Sequence, residues 1–243
     1  MENIRKGAKK IEYACASIQG DFHKSHGIEN QDSFIFLRKP KYTIMSIADG
    51  VGSHTFAAEG SRAAVSSAAY AMTAYADGKI SYKKIVETIC SQYRSTIKKG
   101  HESLVGTTCI FVAVIYNKEI LIGKIGDGMC VVKVNGEDVY ISNTENDFAN
   151  VVNALSFESV PAEWDTCHIA LQYGEKVEVF MATDGIAGDV IPGMESRCAA
   201  YFLQKTDGKN REEADTVLQD MLIRWGQDGS ADDKTVIVYK ERD

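Results

Sequence analysis

The chain has 243 residues, 44% hydrophobic and 25% charged, the make-up of an ordinary globular protein with one large domain or two small ones. Its 27 basic and 34 acidic residues leave a net charge of −7, which argues against a nucleic-acid-binding surface. No run approaches the roughly 20 apolar residues of a membrane span, and "MENIRKGAKKIEY" lacks the apolar stretch of a signal peptide.

Strand patterns fall at 12–18, 33–37, 42–48, 107–116, 119–125, 129–134, 138–142, 167–171, 176–182 and 235–240. Hairpin signals join several of them: Asn117-Lys118, and Asn135-Gly136, which favours a type I′ turn. Two long helices separate the third and fourth strands. The first, 57–76, is rich in alanine; the second starts at Ser81 as N-cap and places Ile85, Ile89, Tyr93 and Ile97 on one stripe. Further helices are predicted at 194–205 and 211–225, the latter with Val217, Met221, Leu222 and Trp225 on one face. The segment 143–165 has weak periodicity and reads as an ordered flap. Hairpin-linked strands with helices grouped between them indicate antiparallel sheets covered by helices, an α+β layered domain. The six cysteines, at 15, 90, 109, 130, 167 and 198, contain no CxxC pair and sit mostly in apolar runs. Buried free thiols and a cytoplasmic location are expected.

Six Asp-Gly pairs occur, at 49, 77, 127, 184, 207 and 228. Those at 77, 207 and 228 follow helical or polar stretches and read as turns or helix ends. Those at 49, 127 and 184 each end an apolar strand, in "MSIADGVGSH", "EILIGKIGDG" and "FMATDGIAGD". Two more acids begin strands: Asp32 before "SFIFL", and Asp232-Asp233 before "KTVIVYK". In an antiparallel sheet the end of one strand lies beside the start of its neighbour, so these five positions can gather at one edge. Any one pair alone reads as a turn. Together, without a counter-charge, the acids would repel one another and raise their own pKa values. A hard divalent cation removes that cost, and carboxylate-and-water sites suit Mg²⁺ or Mn²⁺.

"ENQDSF", "IADGVGS", "GTT…GKIGDG", "MATDG" and "ADDKTVIV" follow the order of motifs in the metal-dependent serine/threonine phosphatases, the protein phosphatase 2C (PPM-type) family. The chain resembles that family from about Cys15 to Lys240, and most of all its bacterial branch. The resemblance implies a single domain over 1–243, with its core at about 12–240. Its fold would be a central antiparallel β-sandwich flanked by helices in α-β-β-α layers, with a binuclear metal centre at one edge. By motif match Asp49 would bridge two Mg²⁺ or Mn²⁺ ions, and the Gly50 carbonyl would add a ligand. Asp32, Asp184 and Asp232 would complete the shells directly or through water, and the Asp127 position is associated with a third, weaker ion.

Two cations about 3.5–4 Å apart lower the pKa of a shared water and neutralise phosphoryl oxygens, so no protein nucleophile is needed. Other catalytic signatures (HExxH, GxSxG, a Walker P-loop) are missing from the sequence, and the glycines of "GKIGDG" have the wrong spacing for GxGxxG. Where many family members carry an Arg that grips phosphate, this chain reads "HKSHGIENQD"; His26 stands there either as a phosphate donor or as a loop histidine. Val51 occupies the position of a family histidine proposed as general acid, leaving His54 or a water as proton donor. Gln31 stands where an acid often precedes the aspartate and can hold a ligand water. Arg62 reads as a structural or surface charge, and His23, His101 and His168 as ordinary residues. The expected activity is hydrolysis of phosphoserine or phosphothreonine in proteins, opposing a serine/threonine kinase, with no nucleic-acid or membrane partner. A catalytically weak phosphoprotein-binding module and a hydrolase of small phosphomonoesters are the rival readings.

Overall fold

The computed structural model describes residues 10–143 and 153–242. Among the described residues, ten strands form two five-stranded sheets. One has the order β1 (Lys10–Ile18), β10 (Lys234–Arg242), β9 (Val177–Ala182), β6 (Met129–Val134), β7 (Glu137–Ser142). The other runs β2 (Asp32–Lys39), β3 (Tyr42–Asp49), β4 (Cys109–Ile115), β5 (Glu119–Ile125), β8 (Asp165–Ala170). Every neighbouring pair is antiparallel.

Three apolar layers hold the sandwich together. Met45, Ile47, Ile110, Val112, Val179, Met181 and Ile237 fill the space between the sheets. Helices α2 (Ala57–Ala76) and α3 (Ile85–Thr96) cover the outer face of the β2–β8 sheet, where Ile44, Ala48 and Phe111 meet Ala64, Ala68, Met72, Ile89 and Tyr93. Helices α5 (Glu195–Thr206) and α6 (Arg211–Asp228) cover the other sheet, packing Phe202, Leu203, Leu218 and Leu222 on Phe180 and Val236. Both faces of the central strands are therefore covered. That is why β4 reads as an unbroken apolar run and β3 as one interrupted only by the buried Thr43 and Ser46 before Asp49, while the edge strands β7 and β8 are largely exposed.

Local chemistry accounts for the joints. Asn135 and Gly136 have φ of 53° and 87°, the pair of positive values that a type I′ turn demands. Asn117, at φ 56°, is the left-handed residue of a three-residue loop between β4 and β5. The Asp-Gly pairs at 77 and 207 end α2 and α5, and that at 228 ends α6. α6 opens with a capping box in which Asn210 accepts from the Glu213 amide at 3.0 Å.

The structure departs from the sequence reading in several details. A 3₁₀ turn over Tyr82–Lys84 separates Ser81 from α3, and Ser81 makes no side-chain cap. On α6, Leu222 is buried and Met221 and Trp225 pack against the core as expected, but Ala214 and Leu218 complete the buried stripe and Val217 stands at its margin. Two short helices, α1 (Asp21–His26) and α4 (Asp184–Ala187), are too brief to show periodicity in sequence. Of the expected flap, residues 144–152 lie outside the described residues. The remainder includes a 3₁₀ turn at Pro161–Glu163, the start of β8 and a bridge from Leu155 to Thr107.

Gly123, in β5, faces the Phe111 ring so closely that a Cβ there would collide with it. Gly123→Ala should lower stability by about 1–3 kcal/mol by overpacking, read as a shift in the urea midpoint. Adding Phe111→Leu should recover part of that loss.

Candidate metal centre

The acids gather at one end of the sandwich, and each is brought there by the strand it ends or begins. Asp32 opens β2 and Asp49 closes β3, and the two are direct register partners. Asp127 sits in the β5–β6 turn between Gly126 and Gly128, whose φ values are 83° and 92°. Asp184 opens α4 immediately after β9, and Asp232 leads into β10. Carboxylate oxygens of Asp49, Asp127 and Asp184 lie within 4.8 Å of one another. They line a cleft of about 590 Å³ together with Gln31, Gly50, Thr108, Asp232 and an apolar rim that includes Phe22, Ile28 and Val51.

Hydrogen bonds fix the floor of this cleft. The Asp49 amide donates to Thr108 Oγ1 at 3.1 Å, while the Asp49 carbonyl accepts from Thr107 Oγ1 at 2.7 Å and the Thr108 amide at 2.8 Å. Thr183 Oγ1 donates to Asp32 Oδ2 at 2.8 Å and accepts from the Thr235 amide at 2.9 Å, tying one sheet's acid to the other sheet. Gly50 packs against the start of α2, where a Cβ would lie 2.5 Å from the Ala57 carbonyl oxygen.

The opposite oxygens are left without partners. Asp32 Oδ1, Asp127 Oδ1, Asp184 Oδ1 and Gln31 Oε1 are all buried and accept no hydrogen bond. A buried carboxylate oxygen without a donor is costly, and several sharing one cleft compound the cost. Burial and neighbouring carboxylates accordingly push Asp32 up to about 7 and Asp184 up to about 6, hold Asp49 well above the usual carboxylate range, and raise Asp127. An all-oxygen, acceptor-only donor set of this kind fits a hard divalent cation such as Mg²⁺ or Mn²⁺. Asp49, Asp127 and Asp184 could share one, with Asp32 behind them and Asp232 at the open side.

The family model described as Protein phosphatase 2C matches residues 19–223. The chain belongs to the protein phosphatase 2C family. Asp232 lies just beyond the matched span. Solved phosphatase structures share the fold at low identity. The photosystem II phosphatase PBCP has TM-score 0.67 and 15% identity, covering 95% of this chain and 98% of its own. RsbX in complex with magnesium has TM-score 0.62 and 15% identity, covering all of both chains. The catalytic domain of the serine/threonine phosphatase PstP, in complex with two manganese ions, has TM-score 0.59 and 17% identity, over 96% and 99%. Among curated proteins none matches the chain.

The histidines divide differently from the sequence reading. His26 ends α1 with its ring against Phe22 and its Nδ1 2.8 Å from the Phe22 carbonyl oxygen. Neither His26 nor His54 is among the described residues lining the cleft. His23, expected to be ordinary, is buried in the cleft wall with Nδ1 2.8 Å from Asp233 Oδ2. The three-residue spacing of His23 and His26 within "FHKSH" does not show which ring turns inward; the helix does. Arg62 is exposed and pairs with Glu29, His101 pairs with Glu59, and His168 with Glu119. Thr183 has no signal of its own in "MATDG", and the sequence pairs Asp233 with Asp232 without separating their surroundings.

A native pKa above the unfolded one means that the native state binds the proton more tightly. These acids should therefore cost the metal-free protein stability as pH rises from 3.8 towards about 7. Melting in chelator should be lower near neutral pH than in mild acid, and Mn²⁺ at about 100 times its Kd should restore about 2.7 kcal/mol. Asp49→Asn removes a central charge without changing shape. It should raise the melting temperature in chelator and blunt the Mn²⁺ response. Identical melting under all these conditions would contradict the site.

Proposed function

We propose that this protein phosphatase 2C chain is a Mg²⁺/Mn²⁺-dependent phosphatase that hydrolyses phosphoserine and phosphothreonine in proteins, countering a serine/threonine kinase. The observation that carries this reading is the group of buried carboxylate oxygens without partners in one cleft. Asp49, Asp127 and Asp184 would hold the cations together, with Asp32, Asp232 and the Gly50 carbonyl completing the donor set. When bound, the cations would activate a water for in-line attack and neutralise the phosphoryl oxygens.

The chain's own groups do the rest. Left bare, the cleft's carboxylates repel a phosphate, so substrate binding and metal binding go together. The open, partly apolar rim of Phe22, Ile28 and Val51 leaves room for a peptide on either side of the phosphorylated residue. A cysteine nucleophile has little support: burial pushes the thiols of Cys15, Cys109 and Cys130 up to about 12 and that of Cys198 up to about 11. All six cysteines are free, in keeping with a reducing, cytoplasmic setting.

Mn²⁺-dependent release of phosphate from a phosphothreonine peptide, abolished by EDTA and unaffected by thiol alkylation, is the expected result. Asp49→Asn and Asp184→Asn should each abolish turnover while the protein stays folded. Full turnover in excess chelator, or faster hydrolysis of small phosphomonoesters than of phosphopeptides, would overturn the reading.

A further inference from the structure

The run Asp232-Asp233-Lys234 places one carboxylate in the cleft wall and two charged side chains out of it. Asp233 and Lys234 are each about 1% exposed, and a buried charge persists only when it is fully hydrogen-bonded. Asp233 Oδ1 accepts from the Gly20 amide at 2.7 Å, and Oδ2 accepts from the Gln31 amide at 2.6 Å and lies 2.8 Å from His23 Nδ1. An ionised carboxylate can only accept, so His23 Nδ1 carries the proton in this contact. Lys234 Nζ donates to the carbonyls of Ser230 and Asp232, at 2.6 and 2.7 Å.

These partners bracket two of the acids. Gln31 immediately precedes Asp32 in one sheet, and the Ser230 and Asp232 carbonyls frame the loop that carries Asp232 into the other. The Phe22 amide adds a bond to the Ala231 carbonyl at 3.1 Å, and Gly20 lies so close to Ala231 that a Cβ would collide with its carbonyl. We propose that Asp233 and Lys234 are positioning residues of the metal centre. Asp233 locks residues 20–31, through Gly20, His23 and Gln31, against the start of β10, and Lys234 fixes the backbone that carries Asp232. The proposal rests on the metal-dependent phosphatase reading above. His23 serves it as a donor to Asp233, and the chemistry of its ring is not required.

Titration calorimetry of Mn²⁺ into the metal-free full chain tests this, with melting in chelator measured beside it. Gly123→Ala, which overpacks Phe111 at a position that does not line the cleft, supplies the control for a general loss of stability. Lys234→Met, Asp233→Asn and His23→Ala should each weaken Mn²⁺ binding by about tenfold to a hundredfold, the usual effect of losing a group that orients a ligand. The control should bind like the wild type. His23→Asn, whose amide nitrogen can reproduce the Nδ1–H, should recover most of the affinity lost in His23→Ala. Unchanged Mn²⁺ affinity in the folded variants would overturn the proposal. So would a His23→Asn variant with normal Mn²⁺ affinity but as little kcat as His23→Ala, since that would place chemistry on the ring. Should Lys234→Met fail to fold, Asp233→Asn decides by the same criterion. A wild type that binds no Mn²⁺ would overturn the phosphatase reading, and this proposal with it.

Discussion

Mutual repulsion among carboxylates delivered from two different sheets is the constraint that organises this molecule. Asp32 and Asp49 come from one sheet, Asp184 and Asp232 from the other, and Asp127 from the turn that passes between them. Nothing in the local chemistry of these residues favours their meeting. They meet because three apolar layers, two beneath helices and one between the sheets, leave the strands no other register. The hydrophobic core thus holds a polar arrangement that would otherwise fly apart, the usual relation between a scaffold and the strained site that it carries.

Threonine hydroxyls and backbone amides make the arrangement tolerable without cancelling it. Thr183 satisfies one oxygen of Asp32 and leaves the other open; Thr107 and Thr108 hold the Asp49 backbone and leave its carboxylate to the cleft. One side of each acid is thereby fixed and the other side kept available. Asp233, with three donors around it, is the opposite case: its charge is consumed by structure. Two adjacent aspartates in one tripeptide therefore have unlike environments, and only the fold distinguishes them.

Much of this was legible in the sequence. The ten strands follow from apolar runs and turn chemistry, because both faces of the central strands are covered and the Asn-Gly and Asp-Gly signals mark their ends. The five acids were legible because each sits at a strand boundary, where register rather than side-chain packing decides position. What escaped the sequence is whatever depends on contacts far apart in the chain. Whether His23 or His26 faces inward is decided by a six-residue helix with too few turns to show a periodicity. The role of Asp233 is decided by amides some two hundred residues away. On α6, Leu218 takes the buried place expected of Val217, because both are apolar and only the neighbouring sheet chooses between them.

The pairing of the first strand with the last has a consequence for the order of assembly. β1 lies along β10 from Lys10 opposite Arg242 to Ile18 opposite Lys234, and the Gly20–Asp233 bond spans 213 residues. On a ribosome, the helices and the β2–β5 hairpins can form as they emerge, but β10, the strand on which the edge strand β1 pairs, is made only after the other strands of both sheets. Closure of so long a loop is entropically slow, and it is also the event that delivers Asp232. Until then the growing chain carries an incomplete set of acids at an unzipped seam. Competence to capture a cation thus waits on the strand that is made after all the others of the sandwich.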